Sequence, residues 1–215
     1  MTFFAKPLVQ RILSAIILIP LVIAAFWADG WVLIGLLVLG WGLAMREWIG
    51  LMRAETLFLK MGFLSLGLVI FTAMALGLWG LSHDFSHGVM TLIIILAAVW
   101  LSDTGAYAMG RLIGGPKLCP VISPNKTWAG LVGACLAPMA LLLFFEASIH
   151  MAIIGLVFGM LAQAGDLSIS HLKRQAGVKD SGRLIPGHGG LLDRIDSMIF
   201  VVPYAYFICL EFGYG

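Results

Sequence analysis

Charged side chains are scarce in this chain, at 11% of 215 residues against 61% apolar ones. With a mean hydropathy of +1.03, too little polar surface remains to cover a water-soluble domain. Cysteine is rarer still: Cys119, Cys135 and Cys209 show neither metal-ligand spacing nor a pairing pattern, which excludes a disulfide framework and a thiolate metal centre. Sustained period-two alternation is absent, so helices are the spanning element. Linkers, low-complexity segments and internal repeats are also missing. The chain therefore reads as one integral-membrane domain over residues 1–215, with N-terminal spans in 1–100 and a chemistry-bearing half in 101–215. The missing repeat argues against a transporter for an anionic solute, since those commonly duplicate their broken helices.

Long apolar runs fill the space that charge leaves. Seven approach the ~20 residues that cross a bilayer: Ile12–Ala28, Trp31–Met52, Leu57–Leu81, Val89–Met109, Trp128–Phe145, Ile149–Leu172 and Ile195–Phe212. The expected fold is an all-α, polytopic helical bundle of about seven transmembrane helices. All thirteen Lys and Arg residues fall before the first run, in alternate connections, or in the ends of the runs that flank them, as Arg46 and Lys60 do. By the positive-inside rule those connections and the N-terminus are cytoplasmic. The first apolar run is read as a span, not a cleaved leader. One face is thus basic and suited to anionic headgroups or nucleotides. Nucleic acid is a poor partner, because the cations are interleaved with carboxylates and tied to spans.

The exception to scarcity is Ser170–Asp196, which holds five basic residues, three aspartates and two histidines. Ionisable groups within spans point to function. Asp103, Tyr107 and Arg111 share one helix face, as do Asp166, Ser170, Lys173 and Arg174. On the last run Asp193 and Asp196 stand three apart, near a helix start. Four carboxylates from three helices then reach similar depth in outline, and an oxygen-only donor set favours Mg²⁺. Lys173, Arg174, Lys179, Arg183 and Arg194 supply positive charge for phosphate. Gly187, Gly189 and Gly190 around His188 permit close backbone approach to an anion. In the other long connection, Ser123, Asn125, Lys126 and Thr127 read as a helix N-terminus that suits an anion.

Together these residues resemble the phosphatidate cytidylyltransferase, or CDP-diacylglycerol synthase, family. The pattern runs from Ser170-x-Leu172-Lys173-Arg174 through Lys179-Asp180, Gly182 and Ile185-Pro186 to His188-Gly189-Gly190-Leu191-x-Asp193-Arg194-Ile195-Asp196. Upstream, Asp103-Thr104-x-Ala106-Tyr107-x-x-Gly110-Arg111 and Ser123-Pro124-Asn125-Lys126-Thr127-Trp128-x-Gly130 are also similar to it. Arg11 and Glu47-Trp48 are weaker echoes, and the chain is shorter than usual for the family.

The resemblance implies that CTP and phosphatidate give CDP-diacylglycerol and pyrophosphate with Mg²⁺, a second cation being an option. The work belongs to phospholipid biosynthesis, in a multi-pass inner-membrane protein with its site on the cytoplasmic face and membrane lipids around it; a homodimer is one arrangement it allows. Expected catalytic residues are Asp166, Asp193, Lys173, Arg174, Lys179 and Asp180. Expected metal ligands are Asp166, Asp193, Asp196 and Asp103. Substrate contacts are assigned to Arg111, Ser123, Asn125, Lys126, Thr127, His188, Gly189, Gly190 and Arg194. Alternatives are a polyprenol-type lipid kinase or a CDP-archaeol-type synthase. Asp193→Asn is expected to end turnover and leave the protein folded.

Overall fold

The computed structural model describes residues 24–213, apart from 29, 54–55, 86 and 185–188. The chain is an all-α polytopic membrane bundle. Among the described residues, five helices are long and apolar enough to cross a bilayer: α1 (Gly30–Gly50), α2 (Leu57–His83), α3 (Gly88–Leu112), α4 (Trp128–Phe145) and α5 (Ile149–Gln175). A one-turn helix α6 (Leu192–Ile195) leads into α7 (Met198–Phe212), an apolar helix of 15 residues. Residues 24–28 are helical, but most of the first expected span lies outside the described residues.

Helix starts follow local side-chain chemistry. Thr56, Thr127 and Ser148 each accept the backbone N–H three residues on, at the starts of α2, α4 and α5. These bonds satisfy donors that a first turn leaves open. One expectation needs correction here. Ser123–Thr127 is not the first turn of a helix but strand β2, paired antiparallel with β1 (Lys117–Cys119). Only Thr127 serves as the cap. Pro124 and the extended Thr127 backbone suit a strand, so the helix begins at Trp128.

Small residues set the helix spacing. A Cβ on Gly105 or Gly133 would strike the other's carbonyl oxygen, so α3 and α4 touch backbone to backbone. Gly155 and Gly159 do the same for α5 against Pro138, Met139, Ala134 and Cys135 of α4. Lipid offers no hydrophobic drive for helices to associate, so such close approach supplies the packing. Elsewhere α7 lies on α2, with Val202 over Gly77 and Tyr206 over Gly80. Large apolar side chains such as Trp31, Phe58 and Phe144 remain outward, as a lipid-facing surface requires.

The end of α1 is fixed by one aromatic cluster. Trp48 stacks on Phe63 at 4.5 Å, meets Phe71 edge-on at 5.6 Å, and donates its indole N–H to the Phe63 carbonyl at 2.9 Å. Gly67 leaves the room beneath it.

Because Gly133 lies at a backbone contact, Gly133→Leu should destabilise the bundle by about 1–3 kcal/mol, the usual cost of overpacking. Gly40→Ala, with nothing within 4 Å of the added Cβ, should cost no stability and gain up to about 1 kcal/mol from the helix preference of Ala over Gly. Thermal unfolding in detergent compares the two, and equal effects would remove the backbone contact as an explanation.

Candidate active site

The ends of α1, α3 and α5, the hairpin, and the starts of α4 and α6 converge at one end of the bundle. A cavity of about 550 Å³ opens there between α3, β2 and α5. From α3 come Asp103, Tyr107 and Arg111, on the single face their spacing implies. From β2 come Asn125, Lys126 and Thr127, and from α5 Gln163 and Asp166. The Lys126 ammonium lies 2.6 Å from Asp166 Oδ2 and 2.8 Å from Gln163 Oε1. Gln163 Nε2 in turn donates to Asp103 Oδ1 at 3.4 Å. Ser170, one turn along α5, donates to Asp166 Oδ1 at 3.1 Å. Arg111 donates to the Tyr107 hydroxyl at 2.6 Å.

Asp196 joins this group through a missing side chain. Gly165 has no Cβ, so the Asp196 carbonyl presses directly on α5 beside Asp166. Burial first, then the charge of Asp166, pushes the Asp196 carboxyl up to about 7. The Ser197 N–H and Lys173 pull it down less strongly. Asp103, Asp166 and Asp196, from three elements, thus feel one another's charge. Even so, among the described residues no three His, Cys, Asp or Glu groups stand close enough to hold a metal ion.

Asp193 belongs to a second cluster. Its Oδ1 pairs with Lys173 Nζ at 2.7 Å, and both side chains are nearly buried, at 7% and 10% exposure. Its Oδ2 accepts from Ser181 N at 2.9 Å, Ser181 Oγ at 3.1 Å and Gly190 N at 2.9 Å. Desolvation pushes this carboxyl upward. Lys173 and the two backbone N–H groups outweigh it, so the pKa is held below its ordinary 3.8.

The glycine turn does bring backbone N–H groups onto an anion, but the anion is the protein's own. Gly189 sits at φ +84°, and a Cβ there would come within 2.7 Å of Asp193 Oδ2. Arg174 bridges the hairpin and the turn after α5, donating to the carbonyls of Ile122 at 3.3 Å and Val178 at 3.0 Å. Lys179, Asp180, Arg183 and Arg194 are exposed, Ser123 and Asn125 lie on β2, and His188 is outside the described residues.

The reading of the sequence gave Gln163 no role and Glu47 only a weak family echo. Gln163 is buried at 3% exposure and links Lys126 to Asp103. Its position three before Asp166, in an apolar run, was the available signal. Glu47, from α1, accepts the backbone N–H groups of Leu191 and Leu192 and the Ser181 hydroxyl. Nothing in its local pattern announces that distant partnership.

The sequence profile described as the Cytidylyltransferase family matches residues 56–212. The chain belongs to that family. It is 43% identical over 143 residues to a phosphatidate cytidylyltransferase of Staphylococcus saprophyticus, covering 63% of this chain and 55% of that protein. A phosphatidate cytidylyltransferase of Brucella suis is 42% identical over 142 residues, covering 63% and 52%. A third, of Staphylococcus epidermidis, is 44% identical over 133 residues, covering 59% and 51%. The chain spans about half the length of these relatives. All of the first cavity, and the second cluster apart from Glu47, fall within the matched cytidylyltransferase segment.

The depressed Asp193 pKa gives a pH test. A carboxyl with a lowered folded pKa stabilises the protein fully above its unfolded value, and loses that contribution as pH falls through the folded one. The stability gap between wild type and Asp193→Asn should therefore hold steady above about pH 5 and shrink only below the ordinary 3.8. Thermal unfolding against pH measures it. A gap that closes between about pH 8 and 5 would contradict the assigned pairing.

Proposed function

We propose that this protein transfers the cytidylyl group of CTP to phosphatidate, giving CDP-diacylglycerol and pyrophosphate in phospholipid biosynthesis. The observation that carries the reading is the cavity in which Lys126 and Arg111 face Asp103 and Asp166, at the end of a membrane bundle of the cytidylyltransferase family. The names of the relatives support the substrates. The concentration of Lys and Arg at this end supports a cytoplasmic site in the inner membrane.

The reaction asks for little acid–base work. A phosphate oxygen of the lipid is already anionic near neutral pH when it attacks the α-phosphorus of CTP. The bond from that phosphorus to the bridging oxygen breaks, and pyrophosphate leaves. The protein must hold two mutually repelling anions in line and offset charge on the leaving group. Lys126 and Arg111 are placed to meet phosphate inside the cavity. Arg174, Lys179, Arg183 and Arg194 make the rim attractive to CTP arriving from water. Asn125 and Thr127 orient what enters, and Gln163 holds Lys126 toward the acids. Lys173 is committed to Asp193, which shapes the turn beside the cavity. Ser123, Asp180, Gly189 and Gly190 belong to the segments that border the site.

The donor chemistry fits Mg²⁺: oxygens only, on carboxylates whose mutual repulsion a cation would relieve. Asp103, Asp166 and Asp196, which as they stand are not close enough to share an ion, would have to draw together to hold it, and Asp193 is already bonded to Lys173, Ser181 and Gly190. When bound, such a cation offsets charge on phosphate oxygens.

Purified protein in lipid nanodiscs, given α-labelled CTP, phosphatidate and Mg²⁺, should yield CDP-diacylglycerol and pyrophosphate in equal amounts. EDTA should abolish both. Asp166→Asn should lower kcat by ~10²-fold or more, the scale of losing one charge-stabilising group. CDP and a phosphorylated lipid as products would identify a kinase instead. Failure of wild type to consume CTP with any lipid acceptor would overturn the reading.

A further inference from the structure

Glu47 lies outside the family match, which begins at residue 56, yet it is built into the edge of the candidate site. Its Oε1 accepts from Leu191 N at 3.0 Å. Its Oε2 accepts from Leu192 N at 2.9 Å and from Ser181 Oγ at 2.8 Å. Its partners here are two backbone N–H groups and a hydroxyl.

The surroundings are shaped to this carboxylate. A Cβ on Gly182 would come within 2.5 Å of Glu47 Oε1, and one on Gly190 would strike both carboxylate oxygens. Trp48, the next residue, is 2% exposed and locked against Phe63 and Phe71, so the carboxylate projects from a fixed point. Arg53 adds a second tie from the same end of α1, donating to the Ala176 carbonyl at 3.1 Å. The Ser181 hydroxyl, with one proton to give, lies between Glu47 and Asp193 Oδ2, 3.1 Å away. Asp193 in turn holds Lys173.

We infer that Glu47 is a positioning residue for the transfer reaction: from the N-terminal half it ties Ser181 to Leu191 and Leu192, and through them holds the Asp193–Lys173 pair. The inference rests on the function proposed above. A carboxylate spread over donors from Ser181, Leu191 and Leu192 resists replacement. Gln keeps the shape but turns an N–H₂ group toward N–H donors. Asp keeps the charge but stops one methylene short.

The test compares wild type with Glu47→Gln and Glu47→Asp in nanodiscs by two measurements. Steady-state turnover of CTP and phosphatidate separates kcat from KM. Hydrogen exchange at Leu191 and Leu192 reports the clamp without reference to activity. Glu47→Gln should lower kcat about 10- to 100-fold, as loss of a supporting residue commonly does, with KM for CTP changed less than threefold. Exchange at Leu191 and Leu192 should rise at least tenfold, and Glu47→Asp should recover part of both.

Wild-type kcat together with unchanged exchange in Glu47→Gln would overturn the inference, as would a loss confined to KM. Inactive wild type with faster exchange in Glu47→Gln would retain the clamp and remove the proposed reaction. Should Glu47→Gln fail to fold, Ser181→Ala carries the same test, since it removes only the bridging hydroxyl. A several-fold loss of kcat with faster exchange there supports the clamp, and wild-type values overturn it.

Discussion

A charge in an apolar bundle must be matched where it stands, and that constraint organises this structure. Removing a carboxylate or an ammonium from water costs several kcal/mol unless a partner and hydrogen bonds replace the lost solvent. Lys126 meets Asp166 at 2.6 Å and Lys173 meets Asp193 at 2.7 Å. Each pair joins separate elements: β2 to α5, and α5 to α6. The pairs therefore act as cross-links as much as charge compensation. They set where the hairpin and the glycine turn come to rest, and so define the rim of the cavity.

Those pairings also bear on how the site works. Lysine ammonium groups hold the acids in this structure, and a phosphate-bearing substrate offers the same lysines a stronger partner. Asp103, Asp166 and Asp196 repel one another where they lie. Such a site gains from any ligand that brings both phosphate and a cation, because one relieves the lysines and the other the acids. A nucleoside triphosphate bound with a divalent metal has that composition.

Much of this architecture was legible in the sequence. Apolar runs located the five long helices, since length and hydropathy suffice when lipid is the solvent. The shared faces of Asp103 with Arg111, and of Asp166 with Ser170, followed from helical periodicity. What periodicity could not reach was pairing between elements. Asp166 and Asp193 looked alike as acids near helix ends, yet one lines the cavity and the other is enclosed by Ser181, Gly190 and Lys173. The hairpin was missed because Ser, Asn and Thr ahead of an apolar run mark a helix start and a short strand almost equally well. Glu47 was hidden for a further reason. Its role depends on contacts 134 to 145 positions away, and no local pattern encodes them.

The brevity of α7 has its own consequence. Fifteen residues rise about 22 Å as a helix, short of the roughly 30 Å of hydrocarbon in a typical bilayer. To cross a bilayer, such a helix requires the membrane to thin beside it, or water and headgroups to dip inward at one of its ends. Asp193 and Asp196 lie just ahead of its first turn. A dimple there would lower the headgroup layer to the level of the acids, so that a lipid could present its phosphate without lifting its tails out of the oil.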